Sequence, residues 1–371
     1  MKTIRSNCEE LSKPVKIVEG IVEKRQTLPI LGNILVEQKG VNVKFSTTDL
    51  DIQICTEAAV GVADTEAKFT VNAATITGIL SALNGKDIAE IDIDGNKLTL
   101  SCQRATYNLQ TMPANEYPVI REARWETTLE LPANKLRYLL SMTSFAMANQ
   151  DVRFYLNGLL FVVDKNLIRT VATDTHRLAC CDLHIEHDLA EPMQVIIPRK
   201  TVRELIRLLP DDDTTVRLEF NDTQIRASFD SVSFMSKLIE GKFPDYNRVL
   251  PSPESNPKSI VLNRELLQSA LREVGVMTSD KFHGVRWVLH KNELLIQSVN
   301  NEHENALNSL PIQWDYEEME MGFNITYLAD VLSILKNNEV KFSFSSSAGS
   351  VLITMPDSPD RFRYVVMPMR I

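Results

Sequence analysis

No apolar run in the 371 residues approaches the length of about 18 needed to cross a bilayer, and the opening, MKTIRSNCEELSK, lacks the apolar core of a signal peptide. A cytoplasmic protein is expected. Cysteine is scarce: five occur, an odd number, and none forms a C-x-x-C pair, which argues against a disulfide framework or a zinc ribbon. The cysteines, two of them adjacent at Cys180 and Cys181, read as small core residues or free thiols. No G-x-x-x-x-G-K-[ST] loop is present, so nucleotide hydrolysis has no support, and there is no G-x-S-x-G elbow for a serine nucleophile. Positive charge is in deficit, with 40 Lys and Arg against 49 Asp and Glu and a net charge of −9. That balance argues at first sight against a nucleic-acid partner. Phosphate binding, however, depends on where the positive charge lies and not on its total.

What is present is the profile of a soluble globular protein, 44% apolar and 24% charged, in a chain long enough for two or three domains. The decisive feature is an internal repeat. FTVNAATITGILSAL (69–83), VIIPRKTVRELIRLL (195–209) and MGFNITYLADVLSIL (321–335) align without gaps at a constant offset of 126 residues, each a strand running into a helix. Apolar residues coincide at Val71, Ile197 and Phe323, at Ile76, Val202 and Leu328, at Ile79, Leu205 and Val331, and at Leu83, Leu209 and Leu335. Their spacing gives each helix one buried stripe. Ahead of each unit stand a helix-like segment (CEELSKPVKIVEGIVEK, PANKLRYLLSMTSFAMA, LNRELLQSALREVGVMT) and a strand pair, with turns expected at Gly40, Asp164–Lys165 and Lys291–Asn292. Alternating strands such as EIDIDGNKLTLSC, VRLEFNDTQIRAS and VKFSFSSSAGSVLIT close each unit. The sequence predicts three tandem copies of one α+β domain, each with two helices and about eight strands. The copies are expected over 1–125, 126–252 and 253–371, with joins near VIREARWE and LPSPESNPKS.

The repeat also organises the charge. Over 199–209, Arg199, Arg203 and Arg207 recur every four residues with Lys200 beside them, a basic ridge opposite the buried stripe. Arg264, Gln268 and Arg272 do the same over 263–274; Lys13, Lys16, Gly20 and Lys24 line the first helix, and Lys135 and Arg137 open the third. Taken singly, each is an ordinary solvated face. Equivalent helices of repeated domains point the same way, so the ridges can converge on one surface, away from acidic runs such as Asp211–Asp213, Glu317–Glu320 and Asp357–Asp360. With no base-reading motif, such a surface would bind a nucleic-acid backbone without regard to sequence.

Other clusters invite chemistry and lack its supporting parts. ATDTHRL joins Asp174, His176 and Arg177 straight after a strand, compatible with a hydrolase using His176, a metal site or the rim of a groove. HIEHD offers His184 and His187 with Glu186 and Asp188, but no helix and no third spaced ligand, as in a solvated loop. Asp211–Asp213 follows a helix end, where a turn is the simpler reading. No catalytic residue, metal or cofactor is expected.

Beyond the threefold repeat, TLPILGNIL (27–35), QDVRFYLNGLLF (150–161), RTVATDTHRLA (169–179), GKFPDYNRVLP (241–251) and the final YVVMPMRI closely resemble the β subunit of bacterial DNA polymerase III, the replicative sliding-clamp family. The resemblance runs through the whole chain. It implies a head-to-tail homodimer whose six domains close into a ring, with twelve helices lining the hole. It also implies a clamp loader that opens the ring on duplex DNA, no catalysis, and polymerases and repair proteins bound through short linear peptides. By resemblance, Arg25, Gln150, Phe154, Tyr155, Arg199 and Lys200 face DNA, joined by Arg203 and Arg207 of the ridge. Phe154 stands where the family often has tyrosine.

The peptide groove, by the same resemblance, comprises Arg153, Leu156, Thr173, Thr175, His176, Arg177, Leu178, Pro244, Arg248, Val249, Asn324, Tyr327, Ser350, Val365, Val366, Met367, Pro368, Met369 and Arg370. Its aliphatic and methionine side chains suit varied apolar anchors, and its arginines and His176 suit a polar rim. Some alternate residues of YVVMPMRI are expected to fill their own domain's core instead. Thr175 replaces the glycine usual after the aspartate, and its β-branch restricts the local backbone. The dimer seam is matched by Lys97, Arg104, Tyr107 and Leu109 on one side and Val276, Met277, Glu302 and Glu304 on the other. NNEHENALNSL is less acidic than the family pattern, so apolar contacts are expected to carry more of the seam. A monomeric peptide-binding repeat scaffold stands as the alternative.

Overall fold

A computed structural model describes residues 2–23, 28–187, 189, 191–252, 254–278 and 283–370. The first copy runs β1 (Lys2–Asn7), α1 (Cys8–Val18), β2 (Asn33–Lys39), β3 (Asn42–Thr48), β4 (Ile52–Ala58), β5 (Glu66–Asn72), α2 (Ala73–Ala82), β6 (Ile88–Asp94), β7 (Lys97–Cys102) and β8 (Ala105–Gln110). The second repeats this order as β9 (Thr127–Pro132), α3 (Ala133–Ser144), β10 (Gly158–Asp164), β11 (Leu167–Thr173), β12 (Arg177–His184), β13 (Met193–Pro198), α4 (Arg199–Leu208), β14 (Thr215–Phe220), β15 (Gln224–Phe229) and β16 (Val232–Lys237). The third is β17 (Lys258–Asn263), α5 (Arg264–Gly275), β18 (Gly284–His290), β19 (Glu293–Val299), β20 (Asn305–Pro311), β21 (Met319–Asn324), α6 (Ile325–Ile334), β22 (Glu339–Phe344), β23 (Val351–Thr354) and β24 (Phe362–Val366). The expected α+β domain of two helices and eight strands thus occurs three times.

The starts of α2, α4 and α6, at Ala73, Arg199 and Ile325, keep the offset of 126. Local chemistry explains why helices begin there. Asn7, Asn72, Asn263 and Asn324 cap α1, α2, α5 and α6 by accepting from the backbone N–H of Glu10, Thr75, Leu266 and Thr326. Pro132 and Pro198 occupy the corresponding positions before α3 and α4. The predicted stripes are buried: Ile76 and Ile79 on α2, Val202 and Leu205 on α4, Leu328 and Val331 on α6. Leu209 and Leu335 are buried too, whereas Leu83 is half-buried. Each fully buried aliphatic side chain contributes about 1.5–3 kcal/mol, so the stripes set which way every helix faces.

The chain divides into two compact units, residues 1–134 with 207–238 and residues 135–206 with 239–371. The reason is sheet pairing. In the first unit an eight-stranded sheet, β5-β2-β3-β4-β16-β15-β14-β9, joins the first copy to the second through antiparallel β4 and β16. The second unit has the equivalent sheet, β13-β10-β11-β12-β24-β23-β22-β17, joined through β12 and β24. Each unit also holds one four-stranded sheet, β1-β6-β7-β8 in the first and β20-β19-β18-β21 in the second. The strands β8 and β20, equivalent to those that pair at the joints, are edges among the described residues. Among those residues, no helix is long and apolar enough to cross a membrane.

Candidate partner groove and basic helix faces

The cluster that sequence reading left open, ATDTHRL, is a tight turn between β11 and β12. The Asp174 carboxylate accepts from the backbone N–H of His176 and of Arg177, both at 3.0 Å, and Thr173 Oγ1 accepts from the Thr175 N–H at 3.1 Å. The Thr173 hydroxyl in turn donates to the Arg177 carbonyl at 2.6 Å. These bonds hold Thr175 at φ 77°, in the left-handed region where a β-branched residue is strained. The result is an outward-pointing His176 and an inward-pointing Arg177.

Arg177 corrects an expectation. Its side chain is only 9% exposed and is not a rim group. Nε donates to Asp174 at 3.0 Å, Nη1 to Asp330 on α6 at 2.6 Å, and Nη2 to the Phe145 carbonyl just beyond α3 at 2.8 Å. The guanidinium also lies 4.3 Å over the Tyr327 ring. Burial works against its charge, yet Tyr364, Asp330 and Asp174 together raise its pKa above the ordinary guanidinium range. Arg177 therefore ties the turn to two helices and orients Tyr327. Asp330 and Phe145, its partners, were missed because nothing in their local sequence marks them.

Around this keystone the remaining groove residues sort by depth. Leu156, Leu178, Val365 and Val366 are core residues, and Thr173 is buried. Leu178 and Val365 belong to a cluster with Leu160, Val171, Cys180, Ile196, Phe243 and Leu352, so they form the floor rather than the contact surface. Thr175, His176, Arg153, Pro244, Arg248, Val249, Met367 and Arg370 are exposed, and Asn324, Tyr327, Ser350, Pro368 and Met369 lie between. The tail is pinned at two points: the Met367 N–H donates to the His176 carbonyl, and the Met369 N–H to the Gly322 carbonyl, each at 2.9 Å. Between Pro244 and Arg248, Tyr246 packs on the floor cluster, its carbonyl accepts from the Val249 N–H at 3.0 Å, and its hydroxyl accepts from Arg169 Nη1 at 3.4 Å. Arg169 is held by Asp182 at 2.5 Å, and Arg363 shares the same carboxylate at 2.8 Å. This support was legible in principle, since Arg169 and Asp182 stand opposite each other on β11 and β12.

The residues expected to face DNA also divide. Lys24 and Arg25 lie outside the described residues. Phe154 is 68% exposed beside exposed Val152 and Arg153, and Gln150 turns there with φ 59°; Tyr155 instead packs half-buried on the floor cluster. On α4, Arg203 is exposed, but Arg199 is half-buried and its Nη1 donates to the Met147 carbonyl at 2.6 Å. Burial, then Arg203 and Arg177, lower the Arg199 pKa. The exposed Arg207 donates to the carbonyls of Lys16 and Ile17 at 3.1 and 2.8 Å. On α5, Arg264 is largely buried and donates to the Asn337 carbonyl, so three of the five ridge arginines, Arg199, Arg207 and Arg264, bond backbone carbonyls of the protein itself. Lys200 is half-buried.

In the seam set, Lys97, Arg104, Glu302 and Glu304 are exposed, and Tyr107 and Leu109 are half-exposed on β8. Val276 is 76% exposed at the end of α5, with Met277 beside it half-buried. Glu304 accepts from Asn300 Nδ2 within its own hairpin turn at 2.6 Å. Among the described residues no three His, Cys, Asp or Glu side chains group as metal ligands, and Asp188 of HIEHD lies outside them.

The family model described as DNA polymerase III beta subunit, N-terminal domain, matches residues 3–121; the central-domain and C-terminal-domain models match 130–245 and 247–370. Proteins named Beta sliding clamp are 38% identical over 363 residues in Pseudomonas putida and over 365 residues in Escherichia coli K12, covering 98% of each chain. The chain belongs to the DNA polymerase III β-subunit family of sliding clamps. Among solved structures, a DNA polymerase sliding clamp from Pseudomonas aeruginosa with ligand is 37% identical with a TM-score of 0.93, and both chains are covered in full. A sliding clamp from Bartonella birtlesii bound to griselimycin is 31% identical with a TM-score of 0.94, again over the whole of both chains.

Membership decides between the function classes. A sliding clamp is a non-catalytic processivity factor of DNA replication, so the hydrolase reading of His176 falls, and the monomeric scaffold gains no support. The geometry agrees with the first point: Asp174, the acid nearest to His176 in sequence, spends its carboxylate on backbone N–H groups and on Arg177.

Proposed function

We propose that two copies of this chain close head to tail into a ring around duplex DNA and tether polymerases and other partners through the groove on the Thr173–Arg177 turn. The observation that carries the ring is the repetition of the joints. At the first, Val232 of β16 pairs with Thr56 of β4; at the second, Phe362 of β24 pairs with Cys181 of β12. The equivalents still without a partner strand among the described residues are β8 on the first copy and β20 on the last. A third joint of the same kind needs a second chain, and two such seams close the ring.

The internal ladders support one register for this seam. Val299 faces Asn305 as Thr48 faces Gln53 and Thr173 faces Leu178, which makes Asn308 the equivalent of Thr56 and Cys181. Cys102 faces Ala105 as Phe229 faces Val232, so Ala105 corresponds to Val232. Asn308 then meets the partner's Ala105, Leu307 its Thr106, and Ala306 its Tyr107. Tyr107 corresponds to Phe234 and Tyr364, both fully buried at the internal joints. Tyr364 packs on Phe145 with centroids 5.5 Å apart, and the equivalent of Phe145 after α5 is the exposed Val276. Tyr107 against Val276, with Leu109, Met277, Lys97, Glu302 and Glu304 around them, is the expected contact.

In this reading the domains run 1–125, 126–252 and 253–371, and the protein works in the bacterial cytoplasm, where a clamp loader opens the ring on DNA. Arg25, Gln150, Phe154, Tyr155, Arg199, Lys200, Arg203 and Arg207 form the DNA-facing set, with Arg203 and Phe154 the most available. A backbone-bound protein loses about 0.9 logarithmic units of affinity per logarithmic unit of salt for each phosphate neutralised, whereas a closed ring escapes only by opening or reaching an end. Loaded onto nicked circular DNA, the protein is expected to survive a high-salt wash and to leave when the circle is cut. Equal loss from circles and linear DNA would overturn the ring.

A further inference from the structure

We infer that Glu273 on α5 is the acidic group that Arg104 of a second chain meets across the seam, so that this ion pair selects the partner. The inference rests on the head-to-tail reading above. It comes from one position that the three joints treat differently, the residue just before β8, β16 and β24: Arg104, Ser231 and Arg361.

At the second joint the Arg361 guanidinium lies 4.5 Å over the ring of Tyr138 on α3. At the first joint the equivalent residues are Ser231 and Lys13. Ser231 bonds Thr56 Oγ1 across the strands at 3.0 Å but is too short to reach Lys13 on the helix, and an open cleft of about 410 Å³ remains, lined by Glu10, Lys13, Pro14, Ile17, Thr56 and Ser231 among others. The helices align by their buried faces: Leu11, Pro14, Val15 and Val18 on α1, Leu136, Leu139, Leu140 and Thr143 on α3, and Leu267, Ala270, Leu271 and Val274 on α5. The equivalent of Tyr138 on α5 is therefore Ser269.

Ser269 is one turn from Glu273, and its hydroxyl donates to Glu273 Oε1 at 3.1 Å. Asn308, the seam equivalent of Cys181, donates through Nδ2 to Glu273 Oε2 at 2.6 Å. The carboxylate is thus held from both sides at the spot where the partner's Arg104 arrives. Arg272 Nη2 donates to Ser269 Oγ at 3.4 Å and adds a neighbouring positive charge on the same helix, so Glu273 also separates the partner's Arg104 from a like charge. Both Arg104 and Glu273 are exposed in the single chain. An arginine docking on an oriented carboxylate gives a strong charge-assisted contact, and juxtaposed like charges give discrimination.

The head-to-tail arrangement supplies its own test. Arg104→Glu alone sets glutamate against Glu273 at both seams, and Glu273→Arg alone sets arginine against Arg104 at both. Mixed one to one, each seam of the mixed dimer regains one charge of each sign. Sedimentation equilibrium is expected to show a dimer dissociation constant raised at least tenfold for either variant alone and restored to within about threefold of native in the mixture. Thermal unfolding of each variant checks that the chains remain folded. A mixture no tighter than its components, or single variants that dimerise like the native chain, overturns the pair. Tyr107→Ala separates the two levels: if it dissociates the dimer while the mixture fails to rescue, the Glu273 assignment is wrong and the seam stands. If Tyr107→Ala leaves the dimer intact, the seam itself is misassigned.

Discussion

At the first joint the chain turns through Thr48, Asp49, Leu50, Asp51 and Ile52, and at the second through Thr173, Asp174, Thr175, His176 and Arg177, with the hydrogen bonds repeating residue for residue. Leu50 and Thr175 sit at φ 78° and 77°. Asp49, like Asp174, accepts from the N–H groups two and three residues on, at 3.0 and 2.7 Å. Thr48 Oγ1 donates to the Ile52 carbonyl at 2.8 Å, as Thr173 does to Arg177. Lys237 N–H meets the Asp51 carbonyl at 2.9 Å, as Met367 meets His176. The side chains then diverge. Ile52 is simply buried where Arg177 gathers two aspartates, two rings and a carbonyl. Lys237 closes on Asp51 at 2.9 Å, where the corresponding Met367 has no charge to offer the exposed His176. One backbone device serves two ends: the first joint is latched, and the second stays open, as the proposed groove requires. On that proposal, a binding site differs from a latch by a few substitutions on a repeated turn.

The comparison breaks hardest at Arg177. Arg177→Ala leaves Asp174 and Asp330 without their shared cation and removes the support under Tyr327. Deleting one partner of a buried charge pair costs about 3 kcal/mol or more. Urea unfolding is expected to show that loss, and calorimetry with a polymerase-derived peptide should show binding weakened at least tenfold. A stability change below about 1 kcal/mol would mean that the cluster does not hold the groove.

A smaller effect sharpens what the two turns share. Thr175→Gly relieves a β-branched residue from left-handed backbone, a strain of about 1–2 kcal/mol, against a glycine entropy cost of about 0.5–1 kcal/mol in the unfolded chain. Net stabilisation of about 0.5–1 kcal/mol is expected from thermal unfolding. Leu50→Gly should gain less, because leucine lacks the β-branch. Destabilisation by both would show that the Thr175 and Leu50 side chains contribute more by contact than their backbones lose by strain.

These contrasts also explain what could be read without a structure. The helices, their buried stripes and the 126-residue offset were legible because burial imposes a period on the sequence. The strand order was not, because β4 meets β16 and β12 meets β24 across long separations that leave no local pattern. The groove residues followed from resemblance, but their depth did not: Arg177 and Val365 look alike as motif members, and one is a buried tether while the other is floor. Arg199 read as part of a basic ridge from its spacing and as a DNA contact by resemblance, and only the Met147 carbonyl beside it reveals a structural task. Glu273 left no trace in sequence, since its meaning depends on which strand a second chain offers.

The mildest change tests the latch. Lys237 and Asp51 are 53% and 74% exposed, so solvent and salt screen their attraction, and ordering two long side chains offsets part of what remains. Lys237→Ala is expected to change the stability of the protein by less than about 0.5 kcal/mol in urea, with the Asp51 carbonyl still bonded to residue 237 through its backbone. The first joint would then hold by its ladder alone, and the ion pair would matter by covering the turn rather than by stabilising it. A larger loss, disappearing in 1 M salt, would instead make the latch a true fastening and explain why this joint carries aspartate and lysine where the other carries histidine and methionine.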